Sequence, residues 1–148
     1  MAPRETDVAV PSAPPASSQS VRLVMQANAT LATRPELALR SALHRAGLRF
    51  RKNYRIRTVG GSVRPDIVFP GKRVAVFVDG CFWHGCPTHG NQPVTNAFYW
   101  AAKLERNRRR DIYVNTALRA DGWQVVRLWE HTPLDHAVDG VLTALRSV

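Results

Sequence analysis

The stretch DGCFWHGCPTHG, residues 79–90, concentrates metal-binding side chains: Cys81, Cys86 and His89 fall within nine residues. A Cys-x4-Cys-x2-His run offers three soft or borderline donors, and zinc takes four such sulfur and nitrogen ligands in a tetrahedron. His131 is the candidate for the fourth, because it stands just past VVRLWE, a run expected to form a strand beside RVAVFV. A closed set of two cysteines and two histidines leaves no open position, so the expected zinc is structural and ties an irregular loop to the sheet. The plainer alternative is two buried thiols and stray histidines. It leaves unexplained why four suitable residues converge on two strand ends.

A second set is acidic. Asp66 follows Pro65 at the start of the apolar run IVF, Asp79 ends RVAVFVD, and Glu36 lies near the start of a helical segment. Carboxylates that meet at a sheet edge in an arginine-rich protein can hold Mg2+ against a phosphate. Each also has an ordinary explanation. Asp66 can terminate a turn, Asp79 can form an Asx turn before Gly80, and Glu36 completes a capping box with Thr33. His84 is the histidine left over by the zinc set. Beside a bound phosphate it could take the proton of an attacking water, and otherwise it is a surface histidine.

Net charge narrows the partner. The 148 residues carry 21 Lys+Arg against 11 Asp+Glu, a formal +10 with a pI near 11.0. Only Lys52, Lys72 and Lys103 among these cations are lysines. Guanidinium groups favour bidentate contacts with phosphates and base edges, so a nucleic acid is the expected partner. The run KLERNRRRD would lie along a phosphate backbone, although a merely solvated helix face has the same composition. Phe82 and Trp83, held between zinc ligands, suit a rigid wedge that enters a base stack. Trp100 serves equally well as wedge or as core. No apolar run is long enough for a transmembrane helix and no signal peptide is evident, so a cytoplasmic protein is expected.

These groups need a scaffold. Residues 1–17, rich in Pro, Ala and Ser, are expected to be a disordered tail, with Ser18 to Leu31 a short helix or arm. Residues 18–148 form one domain. TRPELALRSALHRAG predicts a helix with Thr33 as cap, a stripe of Leu39, Ala42, Leu43 and Ala46, and Gly47 as its stop. LRFRKNY alternates apolar and basic residues, as an exposed-face strand does. After a Gly-Gly turn, RPDIVF and RVAVFV predict adjacent central strands of a hairpin. A helix from about Ala97 to Ala120, a buried strand WQVVRLW and a last helix from Leu134 to Arg146 complete an α/β fold, a mixed sheet with helices packed on it.

Five runs, TRPELALRSALHRAGLRFR, RPDIVFPGKRVAVFVDGCFWHGC, TNAFYW, ERNRRRD and GWQVVRLWEH, occur in this order and spacing. From about Ser20 to His131 the sequence resembles the very-short-patch repair DNA mismatch endonucleases, the Vsr family. VDGCFWHGC is the most specific run. The resemblance implies a restriction-endonuclease-like core with a mixed central sheet, a structural zinc and a catalytic Mg2+. It also implies nicking of one strand of duplex DNA on the 5′ side of the thymine in a T:G mismatch, the product of 5-methylcytosine deamination. By position, Asp66 matches the central metal-binding carboxylate, His84 the general base and Glu36 the helix carboxylate near the site. Cys81, Cys86, His89 and His131 fall at the zinc positions, and Phe82, Trp83 and Trp100 match the intercalating aromatics.

The sequence departs from the familiar pattern in two places. The zinc ligand types differ at Cys86, His89 and His131, where the family has His, Cys and Cys, yet the set stays sound for zinc. Val78-Asp79 stands where the family has Thr-His. The Val78 carbonyl can still coordinate a metal, and Asp79 would bind Mg2+ directly. Asp66 and Asp79 then resemble the paired acids of restriction-like nucleases, with Cys81 where their lysine would be. The expected enzyme is a monomer that acts on mismatched double-stranded DNA in the nucleoid. Rival readings are a restriction-like nuclease with another mismatch or a modified base as target, and a zinc-stabilised DNA-binding module without catalysis. A thiol redox protein is remote, since Cys-x4-Cys is not the reactive Cys-x-x-Cys.

Overall fold

The computed structural model describes residues 34–80 and 96–147. The N-terminal tail and arm, Thr33, Cys81, Phe82, Trp83, His84, Cys86 and His89 lie outside the described residues. Helix α1 spans Arg34–Arg45 and buries Leu39 and Leu43, the heart of the expected stripe. Ala42 is half-buried and Ala46 is exposed, so the stripe is narrower than its spacing suggests. The helix stops where expected: Gly47 adopts φ 84°, Leu48 N–H donates to Leu43 O and Gly47 N–H to His44 O. This paired closure requires a left-handed residue, which glycine supplies without a Cβ clash.

The strands are β1 (Arg51–Lys52), β2 (Ile56–Thr58), β3 (Gly61–Val63), β4 (Ile67–Phe69), β5 (Val74–Asp79) and β6 (Gln124–Trp129). Helix α2 covers Ala97–Ala120 between β5 and β6, and α3 covers Leu134–Arg146 after β6. One sheet runs β1-β4-β5-β6; the first two pairings are antiparallel and β5-β6 is parallel. A parallel neighbour requires a long crossover, which α2 provides. The mixed sheet flanked by helices and the β4-β5 hairpin are as the sequence predicts. LRFRKNY, however, pairs over only two residues. The Gly-Gly segment, expected as a bare turn, instead builds its own hairpin, β2 with β3. That hairpin docks through Ile56, which is buried, and through Gly60, where a Cβ would overlap the Tyr113 hydroxyl. The β6 run, expected to be buried, is half-buried along its length.

Alternation along β5 splits the core between two faces. Val74 and Val76 join Leu39, Leu43, Ile67, Phe69, Ala137, Val141 and Ala144 under α1 and α3. Ala75 joins Ile56, Val68 and Leu118, with Phe77, Val114 and Val125 packed alongside, under α2. By the same alternation Asp79 belongs to the α2 face. Strand β5 carries the purest apolar sequence and pairs on both sides, so it anchors the sheet and carries its last residue to the candidate site.

Leu118 is fully buried and pins α2 to the sheet. Leu118→Ala should destabilise the protein by about 2–5 kcal/mol, the cost of a large-to-small change in a packed core. Urea unfolding checks this as a lower midpoint with an unchanged slope.

Candidate active site

Beyond the Ile67↔Val76 pair the β4-β5 ladder stops. The next β5 donor facing β4, Val78 N–H, is taken by a side chain: it donates to Asp66 Oδ2 at 2.7 Å. Asp66 is therefore fixed against the end of β5, on the residue next to Asp79. Among the described residues, no side chain donates to the Asp66 carboxylate. Burial pushes its carboxyl above the usual carboxylate range, and the neighbouring charge of Asp79 pushes the same way. The Val78 N–H bond, Arg40 and Arg127 pull it back without cancelling the rise.

The other two acids are compensated. Asp79 is 7% exposed, and both its oxygens accept from Arg127 Nη1, at 3.0 and 3.2 Å. Arg127 Nε donates to Asn115 Oδ1 at 2.7 Å, its Nη1 lies 3.5 Å from Asp111 Oδ1, and its Cζ sits 4.2 Å from the Phe77 ring centroid. Glu36, 8% exposed, pairs with Arg40 one helical turn on. Arg40 also reaches the Asp66 carbonyl at 3.4 Å, so α1 is tied to the same strand end. Glu36 is thus more than a capping residue: it orients the arginine that meets Asp66. The described residues contain no group of three His, Cys, Asp or Glu that could hold a metal ion by themselves. Asp66 and Asp79 influence one another, whereas Glu36 faces Arg40.

Arg127 was not singled out by sequence reasoning. Its signal was available: a lone arginine inside the apolar strand QVVRLW cannot be buried without an acidic partner. Asp111, the last residue of ERNRRRD, and Asn115 follow one turn apart on α2 and supply the remaining contacts.

Of the zinc set, His131 is described. Strand β6 pairs with β5 so that Trp129 lies opposite Asp79, and Glu130 N–H donates to Asp79 O at 2.9 Å. His131 therefore follows the end of β6 beside the C-terminal end of β5; the pairing of these two strands is as the sequence predicted. Its ring is parallel to that of Trp129 within 10°, with centroids 6.3 Å apart. Trp100 is half-buried near the start of α2, edge-on to Tyr99, with Lys103 Nζ 5.5 Å from its centroid. On α2, Glu105 holds Arg108 and Arg109, whereas Arg106 and Arg110 are exposed and pair with no carboxylate among the described residues.

The sequence matches the family described as DNA mismatch endonuclease Vsr over residues 17–89. Type II nicking enzyme V.NaeI of Lentzea aerocolonigenes is 54% identical over 122 residues, 82% of this chain and 74% of that protein. Type II nicking enzyme V.XorIIP of Xanthomonas oryzae pv. oryzae is 44% identical over 115 residues, 77% of this chain and 82% of that protein. DNA mismatch endonuclease Vsr of Escherichia coli K12 is 35% identical over 107 residues, 72% of this chain and 66% of that protein.

A carboxyl whose pKa is raised on folding stabilises the fold only while protonated. That contribution is present below the ordinary value of 3.8 and is lost as pH rises through the raised one. In chelator, Asp66→Asn should therefore melt with the wild type in acid and a few degrees above it at neutral pH. Calorimetry across that range checks the sign; a wild type that is the more stable at neutral pH contradicts it.

Proposed function

Since the chain belongs to the Vsr family of DNA mismatch endonucleases, we propose that it nicks one strand of duplex DNA on the 5′ side of the thymine in a T:G mismatch, in a Mg2+-dependent reaction that starts very-short-patch repair of deaminated 5-methylcytosine. The observation that carries this reading is Asp66, a half-buried carboxylate that accepts a backbone N–H but no side-chain donor among the described residues, beside two buried acids that arginines hold directly. Such an energetic cost is typical of a functional site.

The donors fit a hard cation, because all are oxygens: the Asp66 carboxylate, the Asp79 carboxylate and the Val78 carbonyl. Mg2+ bound there supplies positive charge to the scissile phosphate and lowers the pKa of water. The protein's own groups do the rest. Glu36, through Arg40, keeps Asp66 at the strand end. His84 takes the proton of the attacking water. Phe82, Trp83 and Trp100 enter the stack beside the mismatch, where a weak pair lowers the unstacking cost. Arg106 and Arg110, one turn apart, contact phosphates. Cys81, Cys86, His89 and His131 hold a structural Zn2+ that makes the aromatic loop rigid. The core is restriction-endonuclease-like, and the enzyme acts as a monomer on nucleoid DNA in the cytoplasm. No helix among the described residues is long and apolar enough to cross a membrane.

A second reading is favoured by the names of the more similar relatives, which are Type II nicking enzymes. On that reading the chain nicks a target other than the repair mismatch. Labelled duplexes carrying T:G, other mismatches or matched pairs separate the two, each assayed with Mg2+ and with chelator. Nicking 5′ to the T of T:G, lost in Asp66→Ala while binding persists, is the expected result. Equal nicking of matched DNA supports the second reading.

Arg106→Ala and Arg110→Ala should each weaken DNA binding about equally for all sequences and lower the salt slope by about one. Titrations at several salt concentrations check this.

A further inference from the structure

We propose that Arg127 is the positioning residue that sets the divalent-cation requirement of the Asp66 site, by holding both oxygens of Asp79 as an internal counter-cation. The inference rests on the reading of Asp66 as the cation ligand and goes further, by assigning the state of the second acid. One guanidinium nitrogen meets both Asp79 oxygens, at 3.0 and 3.2 Å. The guanidinium is itself fixed from three other directions: Asn115 on Nε, Asp111 on Nη1 and the Phe77 ring on its face. Its side chain is 19% exposed and that of Asp79 10%, so solvent screens the pair weakly.

Two neighbouring buried carboxylates repel when both are ionised. A site made of Asp66 and Asp79 alone would bind a divalent cation tightly and would be costly to fold without one. Arg127 removes that cost by neutralising Asp79, and Asp66 remains to recruit the cation. The consequence is competition. A cation that takes an Asp79 oxygen must draw it from Arg127. Arg127 thereby weakens divalent binding while it preserves the geometry of the empty site. Asn115 tightens that hold from α2, the helix that also carries the exposed arginines.

Mn2+ binding to the full zinc-loaded chain, read from the free-ion electron paramagnetic resonance signal, tests the proposal without an activity assay. Removing a unit positive charge next to a bound divalent cation should tighten Mn2+ binding about tenfold or more in Arg127→Gln. Adding Asp79→Asn to that variant should cancel most of the gain, since the gain acts through Asp79. Asn115→Ala, which loosens the guanidinium but buries no bare acid, should tighten binding by a smaller factor; it decides the matter if Arg127→Gln does not fold. Unchanged or weaker Mn2+ binding in the folded variants, or a gain that survives Asp79→Asn, overturns the proposal. Asp66→Ala is the separate control. If it leaves Mn2+ binding intact, the placement of the cation at Asp66 fails and the inference falls with it.

Discussion

The hydrogen bond from Val78 N–H to the Asp66 carboxylate is the constraint on which the site depends. It replaces a rung of the β4-β5 ladder with a side chain, so the sheet ends at an acid instead of a backbone carbonyl. Pro65 precedes this point and has no N–H to donate. Among the described residues the strand end is thus without a backbone partner on one side and charged, while the rest of β5 is pinned by apolar packing on both faces. Val74 and Val76 secure it under α1 and α3, and Ala75 under α2. A rigid strand is what can hold a carboxylate at a burial that raises its pKa.

Charge compensation then distinguishes the three acids. Glu36 pairs with Arg40 and Asp79 with Arg127, whereas the Asp66 carboxylate accepts a backbone N–H and feels those two guanidinium groups only at longer range. The cations that compensate come from different elements, α1 and β6. Packing of those elements therefore sets the electrostatics of the site. A chain of net charge +10 could flood such an edge with arginines. Instead two are placed where they meet acids, and others line the outside of α2, where a DNA backbone can meet them.

Much of this fold was legible in the sequence. The α1 stop at Gly47, the β4-β5 hairpin, the α2 end at Gly122 (φ 83°) and the last helix all have local causes: a left-handed glycine, an apolar run, a 3.6-residue stripe. The β2-β3 hairpin was not legible, because its support is Tyr113, some fifty residues on, whose hydroxyl fills the space above Gly60. Of the site, Asp66, Asp79 and Glu36 could be named from their places at strand and helix ends. Arg127 left a signal, a lone arginine in an apolar strand, but its meeting with Asp79 depends on the register of the parallel β5-β6 pairing, which the sequence does not carry. The cysteines, His84, His89 and the aromatic pair lie outside the described residues, and their roles rest on residue type, spacing and family.

The most direct test of the account is to locate the cation. Crystals of the full chain soaked in Mn2+ and measured at the manganese absorption edge would show it as an anomalous peak. The account predicts a peak within about 2.0–2.5 Å of an Asp66 carboxylate oxygen. Strong occupancy elsewhere, with Asp66 bearing no cation at saturating Mn2+, would contradict it.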